Sequence, residues 1–366
     1  MLIKLPTFST ETIEHPIYVK HSGIVYQNIE ILFPSRLNAM VLDQSGILPN
    51  SKGISTGGEV VISIKKYVNV KIKASGDNNG DIMITGNCDR NVLIKRAYIL
   101  MCSALGSKPS LAINVMVDIE AHSGLGSSGA IIAAVCIAIN EMYDNPINTN
   151  TLLHYIMANY GEEYEKKCDS IIQKIPCLGG SISTGLFDGG IQVLAGNGVL
   201  IEENSLEATV VIAIPKNYKI LDAKSEIEKH IKYLCSVPLE KMTIMNKALN
   251  ENVAYEMLNK VLPELKEDNI SELCSLIYKI NFENYLYGLN DYKWCCDNQE
   301  VILDEIRNIY INKKCIMLGK SSAGPAFFAL TNNENDTQLC ISKFTELAMN
   351  VIVTSVCNEK YQVIKE

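Results

Sequence analysis

One stretch limits what this chain can fold into more than any other: Gly124-Leu125-Gly126-Ser127-Ser128-Gly129, set between two apolar runs of different length. Upstream, Leu111 to Ile119 is short and rich in Ile and Val, as a strand is; downstream, Ser128 to Tyr143 stays apolar for too long to be one and predicts a buried helix. A strand that ends in glycines and serines and then feeds a helix makes an anion site. The glycines let backbone approach a ligand, and the free N–H groups and helix dipole point at it. Ser127 and Ser128 add hydroxyls. A plain tight turn uses the same residues, so the loop alone leaves both readings open.

Two further polar loops interrupt apolar sequence. Leu318-Gly319-Lys320-Ser321-Ser322-Ala323-Gly324-Pro325 carries one cation, two hydroxyls and two glycines between predicted strands Lys314 to Gly319 and Ala326 to Thr331. Near the start, Pro34-Ser35-Arg36-Leu37-Asn38 places an arginine at the head of an apolar segment. A guanidinium is the natural bidentate ligand of phosphate or carboxylate, although a surface arginine or a connecting turn explains either loop alone. Three such elements from distant parts of one chain point to convergence.

The remaining pattern is mixed. Strands are expected at Gly58 to Lys65, Tyr67 to Ile72 and Ile82 to Thr85, and a helix at Asn91 to Leu105. Asn148 to Ala158 and Glu162 to Ile172 read as helices, Ile191 to Leu194 and Thr209 to Ile214 as strands. Beyond Pro215 helical periods dominate: Ala223 to Lys232, Glu240 to Leu249, Ala254 to Lys266 and Ile270 to Glu283. Ser342 to Asn350 reads as a helix and Val351 to Ser355 as a strand. The change of pattern divides the chain into domains at 1–215 and 216–366.

Composition excludes several classes. A net charge of −8 lacks the basic stripe that nucleic-acid backbones require. The longest apolar runs fall short of the ~20 residues that span a bilayer, and Met1-Leu2-Ile3-Lys4-Leu5-Pro6 has no secretory signal, so a cytoplasmic protein is expected. The twelve cysteines form no Cys-x-x-Cys pair and no zinc spacing, and read as reduced packing residues.

With these motifs in place, a resemblance becomes explicit. His122 to Ala130 resembles the Gly-Leu-Gly-Ser-Ser phosphate loop of the GHMP kinase superfamily, Pro34 to Asn38 its first motif and Leu318 to Gly324 its third, in the right order along the chain. The resemblance implies an α+β architecture, the GHMP-kinase fold, with an N-terminal ribosomal-protein-S5-like domain and a C-terminal α/β sandwich domain. Within the superfamily, Gly319-Lys320-Ser321-Ser322-Ala323-Gly324-Pro325 is similar to the third motif of the β-ribofuranosylaminobenzene 5′-phosphate synthases and related C-nucleoside synthases. So are Pro34 to Asn38 with Asp43 following, and the tract Gly179 to Gly190. Asn38, Lys320 and Ala323 depart from that pattern, where the synthases have histidine, glutamine and tryptophan.

That similarity implies a decarboxylating C-ribosyltransferase, joining ribose 5-phosphate from phosphoribosyl pyrophosphate to a ring carbon of an aromatic or heteroaromatic carboxylic acid, with loss of pyrophosphate and carbon dioxide. Magnesium is expected on the pyrophosphate. Arg36, Asp188 and Lys320 are the implied catalytic residues. Ser35, Asn38, Asp43, His122, Gly124, Gly126, Ser127, Ser128, Gly129, Ser183, Gly185, Ser321, Ser322 and Gly324 are the implied substrate-binding residues. A homodimer is compatible with this reading. The alternative is an ATP-dependent GHMP small-molecule kinase, with the same loop on ATP phosphates and Asp188 as base.

Overall fold

The structure, a computed structural model, describes residues 7–43, 46, 55–163, 170–175, 177–216, 250–283, 299–322 and 325–366. Its frame is a pair of long antiparallel strands, β2 (Asn28–Val41) and β3 (Glu59–Ala74). β1 (Thr7–Ser9) lies apart, in a three-stranded sheet with β6 (Gly161–Glu163) and β7 (Ile171–Lys174). The first half of β3 pairs with β8 (Ile191–Ala195), itself paired with β9 (Val199–Asn204). The second half pairs with β5 (Leu111–Val117), which runs parallel to β4 (Ile82–Gly86). The C-terminal β14 (Gln362–Lys365) closes this seven-stranded sheet along Ile29–Leu32. A second sheet has the order β11-β12-β10-β13, from Met317–Lys320, Phe327–Thr331, Thr209–Pro215 and Met349–Ser355.

β3 serves two cores. Val68, Val70 and Ile72 join Ile29, Ile31 and Phe33 against the helices α1 (Asn91–Leu105) and α2 (Ser127–Met142). Val60, Ile62 and Ile64 join Leu37, Met40, Val210, Ile212 and Phe328 in a second core. The change comes at an irregular step: Pro34 pairs with Tyr67 but Ser35 with Ile64, so Lys65 and Lys66 are passed over. Extra residues on one strand bend and twist the pair at that point. A third core lies on the far face of the second sheet, where Val211, Ala213 and Phe327 meet Ile306 and Phe344. With both faces covered, β10 is apolar without alternation.

α2 is buried at all of its sixteen residues, which is why its sequence is apolar around the whole circumference. α1 has the bounds its periodicity predicts, and Gly106 ends it in the left-handed region. After α3 (Thr149–Ala158) comes the clearest departure. The helix expected at Glu162 to Ile172 is absent at its described ends, which are β6 and β7. Glu162 is drawn into a buried pair with Arg90, and Ile172 is fully buried in the ladder with Phe8 of β1. Near the C-terminus the helix runs Glu334–Glu346 rather than Ser342 to Asn350: the Asn333 side chain accepts from Asp336 N–H at 2.9 Å and caps it early. The helices expected at 223–232 and 240–249 lie outside the described residues. Residue 215 ends β10, already a strand of the second sheet, while β14 returns to the first. Among the described residues the cysteines are free, and no helix is long and apolar enough to cross a membrane.

Candidate functional site

The loop between β5 and α2 turns three times through the left-handed region, at His122 (φ 57°), Gly124 (φ 91°) and Gly126 (φ 75°). Gly126 is the N-cap of α2 and, being glycine, offers no side-chain cap to the first-turn N–H groups. A Cβ there would stand 3.0 Å from Cγ and 3.1 Å from Nε of Arg36. One turn on, a Cβ at Gly129 would stand 2.0 Å from the Ser181 hydroxyl. Both glycines therefore let other chain segments close over the start of α2. Ser127 is buried within that first turn, and His122 is half-buried at the loop's entry.

β2 brings Arg36 and Asn38 to this loop. Arg36 Nη1 donates to Gly124 O at 3.2 Å, and its main-chain N–H to Leu125 O at 3.4 Å. Its Nε is buried with no hydrogen-bond partner. Burial lowers the guanidinium below its ordinary value, with Glu59 pulling the other way. Glu59, at the start of β3, is 3% exposed and accepts from Asn38 Nδ2 and, at 2.6 Å, from Gly180 N–H. Gly180 opens the short helix α4 (Gly180–Leu186). Burial raises the Glu59 carboxyl above its ordinary value, against Arg36, the Gly180 N–H and Asn38. A carboxylate is thus fixed beneath the loop as the counter-charge of Arg36.

The third loop reaches the same place from β11. Ser321 is fully buried, accepts from Asn38 N–H at 3.0 Å and donates to Gly124 O at 2.6 Å. Ser322 N–H returns a bond to Asn38 O at 3.2 Å, with Ser322 at φ 60°. Lys320, half-buried, ends β11 immediately before them.

The structure thus gathers Arg36, Asn38, Gly124, Gly126, Ser127, Gly129, Lys320, Ser321 and Ser322, with His122 at the rim. It gives several other expected site residues different work. The Ser321 hydroxyl is spent on protein partners. Ser35 is buried with its hydroxyl unpaired, and its ladder neighbour is Ile64 of the second core. Ser128 is held by Arg90, whose guanidinium forks onto Glu162 at 2.6 and 2.7 Å. Ser183 sits inside α4 with its hydroxyl on Gly180 O at 3.4 Å. Gly185 is a packing glycine: a Cβ there would meet the Phe33 ring at 2.1 Å. Asp43 accepts from Asn250 Nδ2 at 2.5 Å. Asp188 is exposed at the opposite end of α4 from Gly180, where its Oδ1 accepts from Lys360 N–H at 3.0 Å. Gly324 lies outside the described residues.

Sequence reasoning missed Glu59, Ser181 and Arg90. The signal for Glu59 was present as a lone carboxylate heading the apolar run Glu59-Val60-Val61-Ile62. Among the described residues, no group of three or more His, Cys, Asp or Glu side chains is placed to hold a metal ion. What the cluster offers is an uncapped helix N-terminus, a guanidinium with an unpaired N–H, hydroxyls and a lysine, which together suit a multiply charged anion.

Comparison with known proteins bears on the architecture. Residues 92–178 match the family described as GHMP kinases N terminal domain. The chain is similar to homoserine kinase from Cytophaga hutchinsonii, with a TM-score of 0.58 and 14% identity over 93% of this chain and 98% of that one. Mevalonate pyrophosphate decarboxylase from Streptococcus pyogenes gives a TM-score of 0.62 at 11% identity, over 92% and 99% of the two chains. The MDDEF complex with MVAPP, AMPPCP and magnesium gives 0.64 at 11% identity, over 93% and 100%. No curated protein matches the sequence. The chain has the GHMP-kinase fold, with its matched N-terminal domain segment spanning α1, the glycine–serine loop and α2.

Proposed function

We propose that this protein is an ATP-dependent phosphotransferase that acts on a small-molecule hydroxyl, with the donor phosphates at the start of α2. The observation that carries the reading is the buried, unpaired Nε of Arg36 beside the uncapped Gly126–Gly129 turn. A buried guanidinium is costly unless its charge is met, and Glu59 meets it from one side. A phosphate oxygen supplies the remaining acceptor. Phosphoryl transfer proceeds through a loose transition state, so catalysis rests on positioning and on stabilising charge. The uncapped first-turn N–H groups of α2 are offered to the phosphates, and Gly126 gives the Arg36 side chain its place beside them. Arg36 fixes their position, and Lys320 adds charge from the third loop. Glu59 is engaged by Asn38 and Gly180 and Asp188 is turned away, so neither is assigned as a base. Magnesium would be carried on the donor's phosphates and water, the Ser127 hydroxyl being the protein group that would hold it, and would supply neutralisation of phosphate charge. The AMPPCP and magnesium of the MDDEF complex support the same class of donor here.

The phosphoribosyl pyrophosphate reading is supported by sequence similarity alone, at Gly319 to Pro325, at Pro34 to Asn38 with Asp43 following, and in the tract Gly179 to Gly190. It uses the same anion site for the 5′-phosphate and pyrophosphate. One experiment separates the two. The protein is incubated with magnesium and either donor across a panel of hydroxyl-bearing and aromatic carboxylic acceptors, and ADP and pyrophosphate are measured. ADP release that depends on an acceptor hydroxyl supports the phosphotransferase. Pyrophosphate release coupled to loss of carbon dioxide reverses the assignment.

A further inference from the structure

The two sheets meet edge to edge at the site, and the Asn281 side chain bridges them. Among the described residues, β14 covers the outer edge of β2 at Ile29–Leu32 and no strand pairs with the edge beyond. β11 is the edge strand of the second sheet. Between Ala39 of β2 and Lys320 of β11 stands Asn281, in the π-helical turn Lys279–Glu283 that follows the helix Ser271–Tyr278. Its Nδ2 donates to Ala39 O at 2.9 Å, and its Oδ1 accepts from Lys320 N–H at 3.2 Å. The second Nδ2 hydrogen goes to Ile277 O at 2.9 Å, one turn back, which fixes the rotamer.

A side-chain amide that donates to one strand's carbonyl and accepts from another strand's N–H does what a peptide group does in a β-ladder. The neighbouring bonds continue the pattern: Ser321 Oγ and Ser322 N–H engage the N–H and carbonyl of Asn38. We infer that Asn281 is a positioning residue, a surrogate peptide unit that sets Lys320 in register with the strand carrying Arg36 and Asn38. Asn281 itself touches no substrate. Its influence on the reaction runs through Lys320, and that part of the inference rests on the phosphate site proposed above. The wider helical turn has a reason in this role. π-helical turns are rare and frequent at functional sites, and this one carries an amide bonded to two strands.

Two variants test it. Asn281→Leu removes donor and acceptor at similar volume, and Asn281→Asp keeps the acceptor for Lys320 N–H while losing the donor to Ala39 O. Amide hydrogen exchange of the peptide spanning 317–322 is followed in the full-length protein, together with steady-state kinetics for the donor. Asn281→Leu is expected to speed exchange in that peptide by about tenfold, the scale of one lost hydrogen bond, with a smaller change in Asn281→Asp. Donor KM is expected to rise by about tenfold in Asn281→Leu while kcat moves less, and the rise to vanish when Lys320 is already alanine, because coupled residues are non-additive. A merely structural role would add to Lys320→Ala instead, and that result would overturn the inference. So would unchanged exchange at 317–322 in both variants, provided each melts cooperatively. If the wild type turns over neither donor, the functional proposal fails, and the exchange result alone decides whether Asn281 holds Lys320 to β2.

Discussion

The Ser321 hydroxyl and the Gly124 carbonyl meet at 2.6 Å across 197 positions of sequence. The same oxygen accepts the Asn38 N–H at 3.0 Å, so three segments share one atom. Ser321→Ala would strand the enclosed Asn38 N–H and leave Gly124 O with its bond from Arg36 Nη1. The expected cost is about 2 kcal/mol of stability, from the 1–3 kcal/mol typical of an unpaired buried polar group. Donor KM should rise with it. Chemical denaturation and donor kinetics on the variant check both.

Gly126→Val brings a Cβ to within 3.1 Å of Arg36 Nε at a residue whose φ is +75°. The left-handed backbone adds a penalty of about 1–2 kcal/mol for an L side chain. The fold should survive, because Leu125 is the one loop residue from His122 to Gly126 that joins a core. Donor binding should not. Calorimetric titration with each magnesium-complexed donor, beside a thermal melt, separates the two effects.

Arg36 and Lys320 part company under substitution. Arg36→Lys removes the fork that reaches Gly124 O and presents Nε, and kcat/KM for the donor should fall by about a hundredfold, the scale of one charge-assisted hydrogen bond. Lys320→Gln should cost a comparable factor in a phosphotransferase, which needs its charge on the donor phosphates. Near-normal activity in Lys320→Gln would favour ribosyl transfer, because glutamine is the residue the synthase motif carries.

How much of this was legible in the sequence depends on range. α1 and α2 announce themselves, since an amphipathic period and an all-apolar run are local facts. The three polar loops were legible as loops. Their division of labour was not: Ser127 and Ser128 look alike in sequence, and only the fold reveals that Arg90, 38 positions earlier, takes the second. Glu162 to Ile172 misleads because its charged residues favour a helix in isolation, while ladder pairing with β1 decides otherwise. The Asn333 cap was readable from Asn333 and the acids Glu334 and Asp336, and a strict application of the capping rule would have placed that helix correctly.

Asp188 tests the other direction. It is exposed and occupied with Lys360 N–H, a role that an asparagine oxygen also fills. Asp188→Asn should leave kcat and KM within about twofold, as surface changes away from a site do. A loss of several orders of magnitude would show that α4 turns over on binding substrate and would restore Asp188 as a base.

Glu59 gives the site a pH signature. Burial holds its folded-state carboxyl above the ordinary value of 4.5. Between the ordinary and the raised value the folded protein keeps a proton that the unfolded chain has released; above both, Glu59 is the ionised counter-charge of Arg36. This group's contribution to stability is full below the ordinary carboxylate range and is lost as pH rises through the raised value. Glu59→Gln abolishes that slope. As pH rises from the ordinary carboxylate range through the raised value, Tm of the variant should gain on the wild type, and parallel Tm profiles would mean that the fold does not raise the Glu59 carboxyl.

β14 bears on how the protein is made. Ile29 to Leu32, just ahead of Arg36 on the same strand, find their outer neighbour in Gln362 to Lys365, and Tyr361 and Lys365 both bind Glu141 at the end of α2. A ribosome delivers the phosphate loop long before it delivers this strand. The nascent N-terminal half must wait, one edge open, until Gln362 to Lys365 have been made, and a chain broken ahead of them would carry every site residue and could not close the sheet that holds them.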